Sequence, residues 1–294
     1  ESVVLRGLLQ GACRVFAEQF PVAVRKTAVM KTELFPLLAA VFLTACQVEY
    51  HPYDTDISGE QNINAKNIAR IEAACRGRQT VRFAMISDTQ RWYDETEKAV
   101  EALNARDDID FVLHGGDLSD FGLKKEFMWQ RDILNRLRVP YVCLLGNHDC
   151  QGTGEAVFEK IFGPSDFAFT AADVRFVCLN TNAMEYDYSH PVPDFDFLEH
   201  EYGSFAPPAR RTIFAMHVRP YDFQFNNNVA KVFEHYVMRF PQPLCCISGH
   251  EHRWIEEDIF GDGMMYYGCP NIEKRTYILY TLTPDGYSYE KVDF

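Results

Sequence analysis

The sequence FVLHGGDLSD, residues 111–120, is a short apolar run followed at once by two glycines and then by Asp117 and Asp120. An apolar run of this length that ends at glycine is typical of a buried β-strand. Glycine allows the backbone to turn sharply directly after such a strand. The stretch therefore predicts a strand whose carboxyl end presents Asp117 to a functional site.

The same arrangement recurs at four further apolar runs, and helical patterns lie between them, as at Ala99, Val100 and Leu103. The five runs cover residues 83–86, 111–113, 141–145, 213–216 and 244–247. The polar residues that follow them are Asp88 and Gln90, Asp117, Asn147, His217, and His250 and His252. Strands that alternate with helices predict an α/β layered fold. Because the carboxyl ends of strands in such a fold meet at one edge, we expect these side chains to converge.

The converging side chains are of the types that hold divalent metal ions. Asp, Asn, Gln and His supply the oxygen and imidazole nitrogen atoms that bind Mn, Zn, Fe and related ions. Each block alone is weak evidence, since a single histidine such as His217 is more often a hydrogen-bonded core residue. The five blocks together indicate a metal centre.

In this order the blocks resemble those of the calcineurin-like metallophosphoesterase superfamily, which are DxH, GDxxD, GNHD, H and GHxH. The resemblance spans about residues 81–252 and implies a four-layer α/β/β/α sandwich of two mixed sheets. We place this domain at residues 79–294. Alternating Tyr, Val and Ile residues in 254–294 predict antiparallel strands that complete the second sheet.

The resemblance also implies a centre of two divalent ions, for which Mn, Zn, Fe and Mg are all candidates. It assigns Asp88, Gln90 and His252 to the first ion, Asn147, His217 and His250 to the second ion, and a bridging position to Asp117. His148 corresponds to the histidine beside the ions that meets the substrate. Asp149 corresponds to a carboxylate that orients this histidine.

Such a centre is expected to cleave phosphomonoester or phosphodiester bonds when a hydroxide that bridges the two ions attacks phosphorus. His148 would stabilise the developing charge or protonate the leaving oxygen. The expected partner is a small phosphorylated substrate. Two alternatives stay open: a pyrophosphatase acting on nucleotide-sugar or lipid-linked diphosphates, and a lipoprotein that binds metal and phosphorylated glycans without turnover.

Three places in the sequence depart from related patterns. Gln90 stands where the common first block has histidine, and an amide oxygen is a weaker and harder ligand. We therefore expect looser binding, or a preference for Mn or Mg over Zn, at the first ion. Asp120 stands where purple acid phosphatases have tyrosine, which argues against a purple iron enzyme. Phe121 and Gly122 replace the Arg-Gly of phosphoprotein phosphatases, so a protein substrate is disfavoured.

Two arginines are candidates for binding the substrate phosphate. Arg91 directly follows a donor, and Arg219 lies two residues after His217. Such arginines are more often held in surface or structural ion pairs, which is the alternative for both. The segments 184–202 and 219–228 are rich in Tyr, Phe, Asp, Pro and Asn and are predicted to form loops that wall the site. Their aromatic side chains either pack beneath the loops or stack on a substrate.

The charge of the chain argues against one class of partner. Its 294 residues include 29 Lys and Arg against 42 Asp and Glu, which gives a net charge of -13. A protein that binds the nucleic-acid backbone normally presents a basic face. We therefore expect that nucleic acid is not the main partner.

The N-terminal part has the features of a bacterial lipoprotein signal. Met30 and Lys31 precede the apolar stretch 34–43, which runs into the sequence LTAC at 43–46. The stretch is too short to span a bilayer but has the length of a signal-peptide core. The resemblance implies that processing leaves Cys46 as a lipid-carrying N-terminus. The alternative is a buried helix that ends in cysteine.

These features predict four segments. Residues 1–29 are an upstream extension that is not native, and residues 30–45 are the signal peptide. Residues 46–78 are polar and mixed and are predicted to be a tether, and residues 79–294 are the metallophosphoesterase domain. The expected location is the bacterial envelope, facing the periplasm or the cell surface, with membrane attachment through the lipid on Cys46.

Overall fold

The computed structural model describes His51, residues 53–187 and residues 189–294. The predictions for the upstream extension, the signal peptide and Cys46 concern residues outside these ranges. Within the ranges, none of the helices combines the length and the apolar character needed to cross a membrane. The architecture is therefore that of the domain predicted to carry the metal centre.

The described residues form six α-helices and eleven β-strands, together with three short 3₁₀ helices. The helices are α1 (Ile63–Cys75), α2 (Tyr93–Asn104), α3 (Lys124–Leu134), α4 (Gly154–Ile161), α5 (Phe195–Gly203) and α6 (Ala230–Arg239). The strands are β1 (Val81–Ile86), β2 (Phe111–His114), β3 (Tyr141–Cys143), β4 (Phe167–Ala171), β5 (Val174–Leu179), β6 (Arg211–Met216), β7 (Pro243–Ser248), β8 (Ile255–Glu257), β9 (Tyr266–Gly268), β10 (Thr276–Thr283) and β11 (Gly286–Asp293). The 3₁₀ helices are His148–Cys150, Ala183–Glu185 and Ile272–Lys274.

The strands make two mixed sheets. In the first sheet the order is β11-β10-β1-β2-β3, in which β1, β2 and β3 are parallel. In the second sheet the order is β4-β5-β6-β7-β9-β8, in which β5, β6, β7 and β9 are parallel. The five apolar runs predicted as strands correspond to β1, β2, β3, β6 and β7, so that prediction is confirmed.

The sheets pack face to face through aromatic side chains and carry helices on their outer faces. Phe83 of β1 stacks on Phe111 of β2 with ring centroids 5.1 Å apart, and its ring meets Phe176 of the second sheet edge-on at 5.2 Å. Phe127 of α3 is buried on the outer side of the first sheet, and Phe233 of α6 is buried on the outer side of the second. Strands covered on both faces have continuous apolar sequences, as these do. The predicted four-layer α/β/β/α sandwich is confirmed.

The C-terminal strands do not all join the sheet to which the sequence assigned them. We expected the segment 254–294 to complete the second sheet, but β10 pairs with β1 and β11 pairs with β10 in the first sheet. Only β8 and β9 join the second sheet, and β9 lies parallel to β7. An alternating pattern fixes which face of a strand is buried but not which neighbour the strand pairs with.

The predicted tether 46–78 is wrong for residues 63–75, which form α1 within the domain. Asn64 exchanges two hydrogen bonds of 2.9 Å with the backbone of Cys143, and the Asn67 side chain donates to the Tyr141 carbonyl at 2.8 Å. These asparagines satisfy the free edge of β3, which would otherwise expose unpaired backbone groups. Ile71 is buried in the core on the same helix. The polar residues that suggested a tether therefore include two asparagines that hydrogen-bond to the edge strand β3.

Candidate metal centre

All of the predicted metal donors lie in loops at the carboxyl ends of strands from both sheets. Asp88 and Gln90 follow β1, Asp117 follows β2, Asn147 follows β3, His217 follows β6, and His250 and His252 follow β7. We call Asp88, Gln90, Asp117 and His252 the first donor group, and Asp117, Asn147, His217 and His250 the second donor group. Asp117 belongs to both groups.

Four donors have a left-handed backbone, which non-glycine residues rarely adopt. The φ angles are 54° at Asp88, 61° at Asp117, 71° at His250 and 55° at His252. Such residues persist only where the surrounding structure holds them, and they cluster at functional sites. The loops therefore direct these side chains inward at a conformational cost that ordinary turns avoid.

The second donor group is compact and largely buried. One potential ligand atom from each of Asp117, His217 and His250 lies within 4.8 Å of the other two. The Asn147 side-chain oxygen Oδ1 lies 3.1 Å from His217 Nε2 and 3.1 Å from His250 Nδ1. Four donor atoms therefore face a common point.

The surroundings of His217 fit a cation at this point. His217 Nδ1 lies 2.7 Å from the Gly115 carbonyl, which can only accept, so Nδ1 carries a proton. In the neutral ring, the Nε2 lone pair then faces Asn147 Oδ1 and Asp117 Oδ1 at 3.1 and 3.4 Å. Burial lowers the pKa of His217, but Asp117 outweighs this effect and raises it to about 10. A divalent ion would bind the His217 Nε2 lone pair and the two oxygens that face it, so these residues fit a metal.

The first donor group is similar in size but more open. Ligand atoms of Asp88, Asp117 and His252 all lie within 4.8 Å of one another. His252 Nε2 lies 3.2 Å from Asp88 Oδ1, and 47 % of the His252 side chain is exposed. Gln90 Oε1 is buried and has no hydrogen-bond partner, while its Nε2 donates to Asp117 at 3.3 Å. A buried oxygen without a partner, on an amide that contacts Asp117, fits a cation ligand.

Asp117 is held as a carboxylate where the two groups meet. Burial would raise the pKa of Asp117, but His217 and His148 outweigh it and hold the pKa at about 2. Gly146 is required beside it, because a Cβ at that position would lie 2.1 Å from the Asp117 amide nitrogen. The glycine of the Gly-Asn-His-Asp block therefore lets two donor loops approach closely.

His148 is placed beside the donors by Asp120 and not by Asp149, which corrects our expectation. His148 Nδ1 lies 2.9 Å from the Asp120 carbonyl and 3.7 Å from its carboxylate. The Asp149 carboxylate instead accepts the amides of Gly146, Leu118 and Ser119 at 2.8 to 3.2 Å. The Ser119 hydroxyl also donates to Asp149, at 3.0 Å. Asp149 therefore ties together the loops that carry Asp117 and Asn147.

The two candidate arginines both lie in ion pairs. Arg219 Nε lies 2.7 Å from the Glu251 carboxylate, and its side chain is 12 % exposed. Arg91 pairs with Asp120, the residue that holds His148. These contacts favour the structural alternative, most clearly for the buried Arg219. Contact of either arginine with a substrate stays a prediction.

Sequence reasoning missed Asp222, which faces the second donor group. One Asp222 carboxylate oxygen lies 3.3 Å from His250 Nε2, the ring nitrogen opposite the one that faces Asn147. Burial would raise the pKa of Asp222, but His250 outweighs it and holds the pKa below its ordinary value. A carboxylate behind a metal-binding imidazole fixes its ring orientation. The sequence offered one indication of this role, because Asp222 lies within the segment 219–228 that was predicted to wall the site.

The fold and the donor groups define an α/β/β/α sandwich with a candidate metal centre at the edge that the two sheets share. The model of the calcineurin-like phosphoesterase family matches residues 81–254, and the chain belongs to this family. It is 26 % identical over 174 residues to a 3',5'-cyclic-nucleotide phosphodiesterase of Nostoc sp.. That match covers 56 % of this chain and 64 % of the relative, which is less than two thirds of its length.

Solved structures with the same fold are distant in sequence. A dimetal phosphatase from Danio rerio has a TM-score of 0.56 at 12 % identity and covers 72 % of this chain and 97 % of its own. The purple acid phosphatase PPD1 from yellow lupin has a TM-score of 0.55 at 14 % identity, covering 74 % and 52 %. GAP50, described as the anchor in the inner membrane complex of Plasmodium, has a TM-score of 0.54 at 13 % identity, covering 74 % and 85 %. At these identities the likeness concerns the fold alone.

Proposed function

We propose that the chain is a metal-dependent hydrolase of phosphate esters that favours phosphodiesters. The observation that carries the proposal is the pair of donor groups that share Asp117, with His148 at their side. The Nostoc relative is named as a phosphodiesterase of cyclic nucleotides, and this supports a diester substrate. The family supports two divalent ions, and their identity is left to experiment.

The chain's own residues would position the ions and move one proton. Bound divalent ions supply a water of lowered pKa and neutralise charge on the phosphate. The first donor group would hold one ion and the second donor group the other. The Asp120 carbonyl accepts the Nδ1 proton of His148 and so orients the ring. In its protonated form, the ring would give its Nε2 proton to the leaving oxygen and become a neutral imidazole.

A diester is favoured over a diphosphate because of the charges around the site. A diphosphate brings a second phosphate that needs its own cations, and arginine is well suited to this task. Arg91 and Arg219, the arginines closest in sequence to the donors, are already paired with Asp120 and Glu251. A pyrophosphatase therefore remains the weaker candidate.

Binding without turnover is the other alternative, since GAP50 has this fold and is described as an anchor. His148 favours catalysis. Its backbone amide donates to Asp117 Oδ1 at 3.0 Å, and its side chain is 32 % exposed beside the donors. A metal-binding protein has no need of a positioned, accessible imidazole at this point, whereas proton transfer requires one.

The test is hydrolysis of bis-p-nitrophenyl phosphate and of p-nitrophenyl phosphate by chelator-treated protein, with Mn, Zn or no metal. We expect metal-dependent release that is faster with the diester. His148→Ala should lower kcat about 100-fold at unchanged metal content, because it removes the proton donor. His200→Ala, on the exposed face of α5, is the control. No metal-dependent release from either ester would contradict the proposal.

We further propose that the domain is exported and held at the membrane by lipid on Cys46. The support is the sequence around the apolar stretch 34–43, which lies outside the described residues. Expression of the full chain in a bacterium with labelled palmitate should label the membrane fraction, and Cys46→Ser should abolish both labelling and membrane retention. Equal distribution of the two proteins in the soluble fraction would overturn this assignment.

A further inference from the structure

A cavity of about 470 Å³ has one wall formed by residues within 183–187 and 190–195, and the other wall formed by residues 225–226. Its lining contains none of the metal donors, so it is a separate space beside the centre. Its size falls within the range of small-molecule sites. The two segments that line it are those that the sequence predicted as walls of the active site.

Both walls of the cavity are joined to the metal centre. The Asn182 side chain donates to the Leu145 carbonyl at 2.9 Å, directly before the Gly-Asn-His-Asp block. Cys150, which closes the 3₁₀ turn begun by His148, lies 3.7 Å from the Tyr186 hydroxyl. The opposite wall belongs to the loop that carries Asp222 to His250. The cavity therefore lies between two segments that also support the donor loops.

Aromatic rings line part of the cavity, and the Tyr186 ring is held in place by hydrogen bonds. The Tyr186 hydroxyl donates to Glu155 at 2.6 Å and accepts from Asn180 at 2.9 Å, which fixes the ring. The Tyr186 and His190 ring centroids are 5.6 Å apart. Phe225 is 3 % exposed and packs on α6. Fixed aromatic faces bind flat apolar groups at little entropic cost.

The described lining of the cavity combines apolar residues with one carboxylate and contains no lysine or arginine. Met184 is 61 % exposed, and methionine adapts its shape to apolar ligands. Asp187 is the one charged group of fixed sign among the described lining residues, and it pairs with His190 at 3.8 Å. An additional phosphate would meet a negative charge here, whereas an uncharged ring would not.

We propose that this cavity binds the organic group of a phosphodiester substrate and that this group is an aromatic ring of the nucleobase class. The proposal rests on the proposed function, because the diester must be held at the donor groups. Rings favour this class over an alkyl chain, since Tyr186 and His190 offer faces for stacking. Asn226 adds an amide that can hydrogen-bond to ring heteroatoms.

The first experiment compares three diesters that release the same p-nitrophenolate: phenyl, cyclohexyl and methyl p-nitrophenyl phosphate. The phenyl and cyclohexyl esters match in size, so their difference reports aromaticity. We expect the lowest KM for the phenyl ester. Equal KM values for the phenyl and cyclohexyl esters would overturn the assignment of an aromatic group. Equal values for all three esters would overturn the proposal that the cavity binds the organic group of the substrate.

The second experiment uses matched variants. Tyr186→Phe and Tyr186→Leu both lose the hydroxyl network, but only the first keeps the ring. Relative to Tyr186→Phe, Tyr186→Leu should raise the KM of the phenyl ester about tenfold and reduce the ratio of methyl to phenyl KM, because stacking is lost. Met184→Ala should act in the same direction, with the exposed Met238→Ala on α6 as its control. Identical KM ratios in all variants would contradict the proposal.

A binding measurement separates this proposal from the proposed function. Calorimetry of adenosine with chelator-treated protein needs neither metal nor turnover. We expect binding to wild type and to Tyr186→Phe, and about tenfold weaker binding to Tyr186→Leu. Adenosine binding without cleavage of any diester would overturn the function and keep the cavity. Cleavage without adenosine binding and without a preference for the phenyl ester would keep the proposed function and overturn the proposal for the cavity.

Discussion

The two donor groups share Asp117 but differ in how firmly their other members are held. The second group has two imidazoles, and the ring nitrogen that faces away from the common point is fixed in each, by the Gly115 carbonyl at His217 and by Asp222 at His250. The first group has one imidazole, on the half-exposed His252, and an amide in place of another. Ligands that are already oriented lose less entropy on binding, and imidazole is the stronger donor. We therefore expect the second group to bind its ion more tightly.

The largest expected effect is on metal content, when one histidine of each donor group is replaced by alanine. His217→Ala should remove the tightly bound ion and lower turnover at least about 100-fold, because it deletes a buried ligand. His252→Ala should lose the weakly bound ion and keep the tight one. Elemental analysis of both variants after dialysis against limiting Mn²⁺ measures this. Equal metal loss in the two variants would remove the distinction between the groups.

The next effect concerns the carboxylate behind His250. Asp222→Ala should weaken the tight ion about tenfold or more, since support of this kind is worth 10 to about 100-fold in metal affinity. Asp222→Asn should weaken it less, because the amide oxygen still accepts from His250 Nε2. Asp285→Ala, in an exposed turn, is the control. Mn²⁺ titration gives the dissociation constants, and an unchanged tight constant in Asp222→Ala would show that Asp222 does not support the group.

A third substitution should make the groups more alike. Gln90→His restores the histidine of the common first block and replaces an amide oxygen with imidazole. We expect the weak ion to bind about tenfold more tightly and the tight ion to be unaffected. Competition with a fluorescent chelator measures both constants. Weaker binding of the first ion would show that the loop around Gln90 is shaped for an oxygen ligand.

The smallest effect concerns a buried acid beneath the loop that carries Asp222. Phe260, whose ring centroid lies 5.3 Å from that of Tyr221, belongs to a loop that approaches Glu234 of α6. Burial, with the charges of Asp262 and Asp258, raises the pKa of Glu234 from 4.5 to about 7. The folded protein therefore keeps a proton that the unfolded chain releases in this interval. The contribution of Glu234 to the free energy of unfolding therefore falls as pH rises from 4.5 to 7 and then levels off.

Glu234→Gln removes this titration. Compared with wild type, the variant should be more stable by about 1 kcal/mol at pH 8 and nearly equal at pH 5, because the amide resembles the protonated acid. Urea unfolding of both proteins in chelator at the two pH values measures the difference. A parallel pH dependence in the two proteins would contradict the assignment.

Some parts of the site could be predicted because each donor lies close to the end of its own strand. At Asp117, for example, one short stretch contains the buried run, the turn and the ligand. Asp222 and the carbonyl of Asp120 could not be found in this way, since their roles arise only when separate loops pack together. Asp149 shows the opposite problem. Its position in the motif suggested that it orients His148, but its carboxylate accepts hydrogen bonds from backbone amides of the donor loops instead.

The fold shows the same division between local and distant information. The apolar run 83–86 predicts β1 from its own sequence, whereas the pairing of β1 with β10 joins positions nearly two hundred residues apart. Asn64 looked like part of a polar tether because its two hydrogen bonds go to the backbone of a distant strand edge. Patterns within a short stretch of sequence predict helices and strands. Contacts between residues far apart in the sequence decide which of these helices and strands become neighbours.

The most direct test of the account is calorimetric titration of Mn²⁺ into chelator-treated protein. We predict two ions per chain with separate dissociation constants, the tighter one lost in His217→Ala and the weaker one lost in His252→Ala. Fewer than one bound ion, or two equal ions that both substitutions weaken alike, would contradict it.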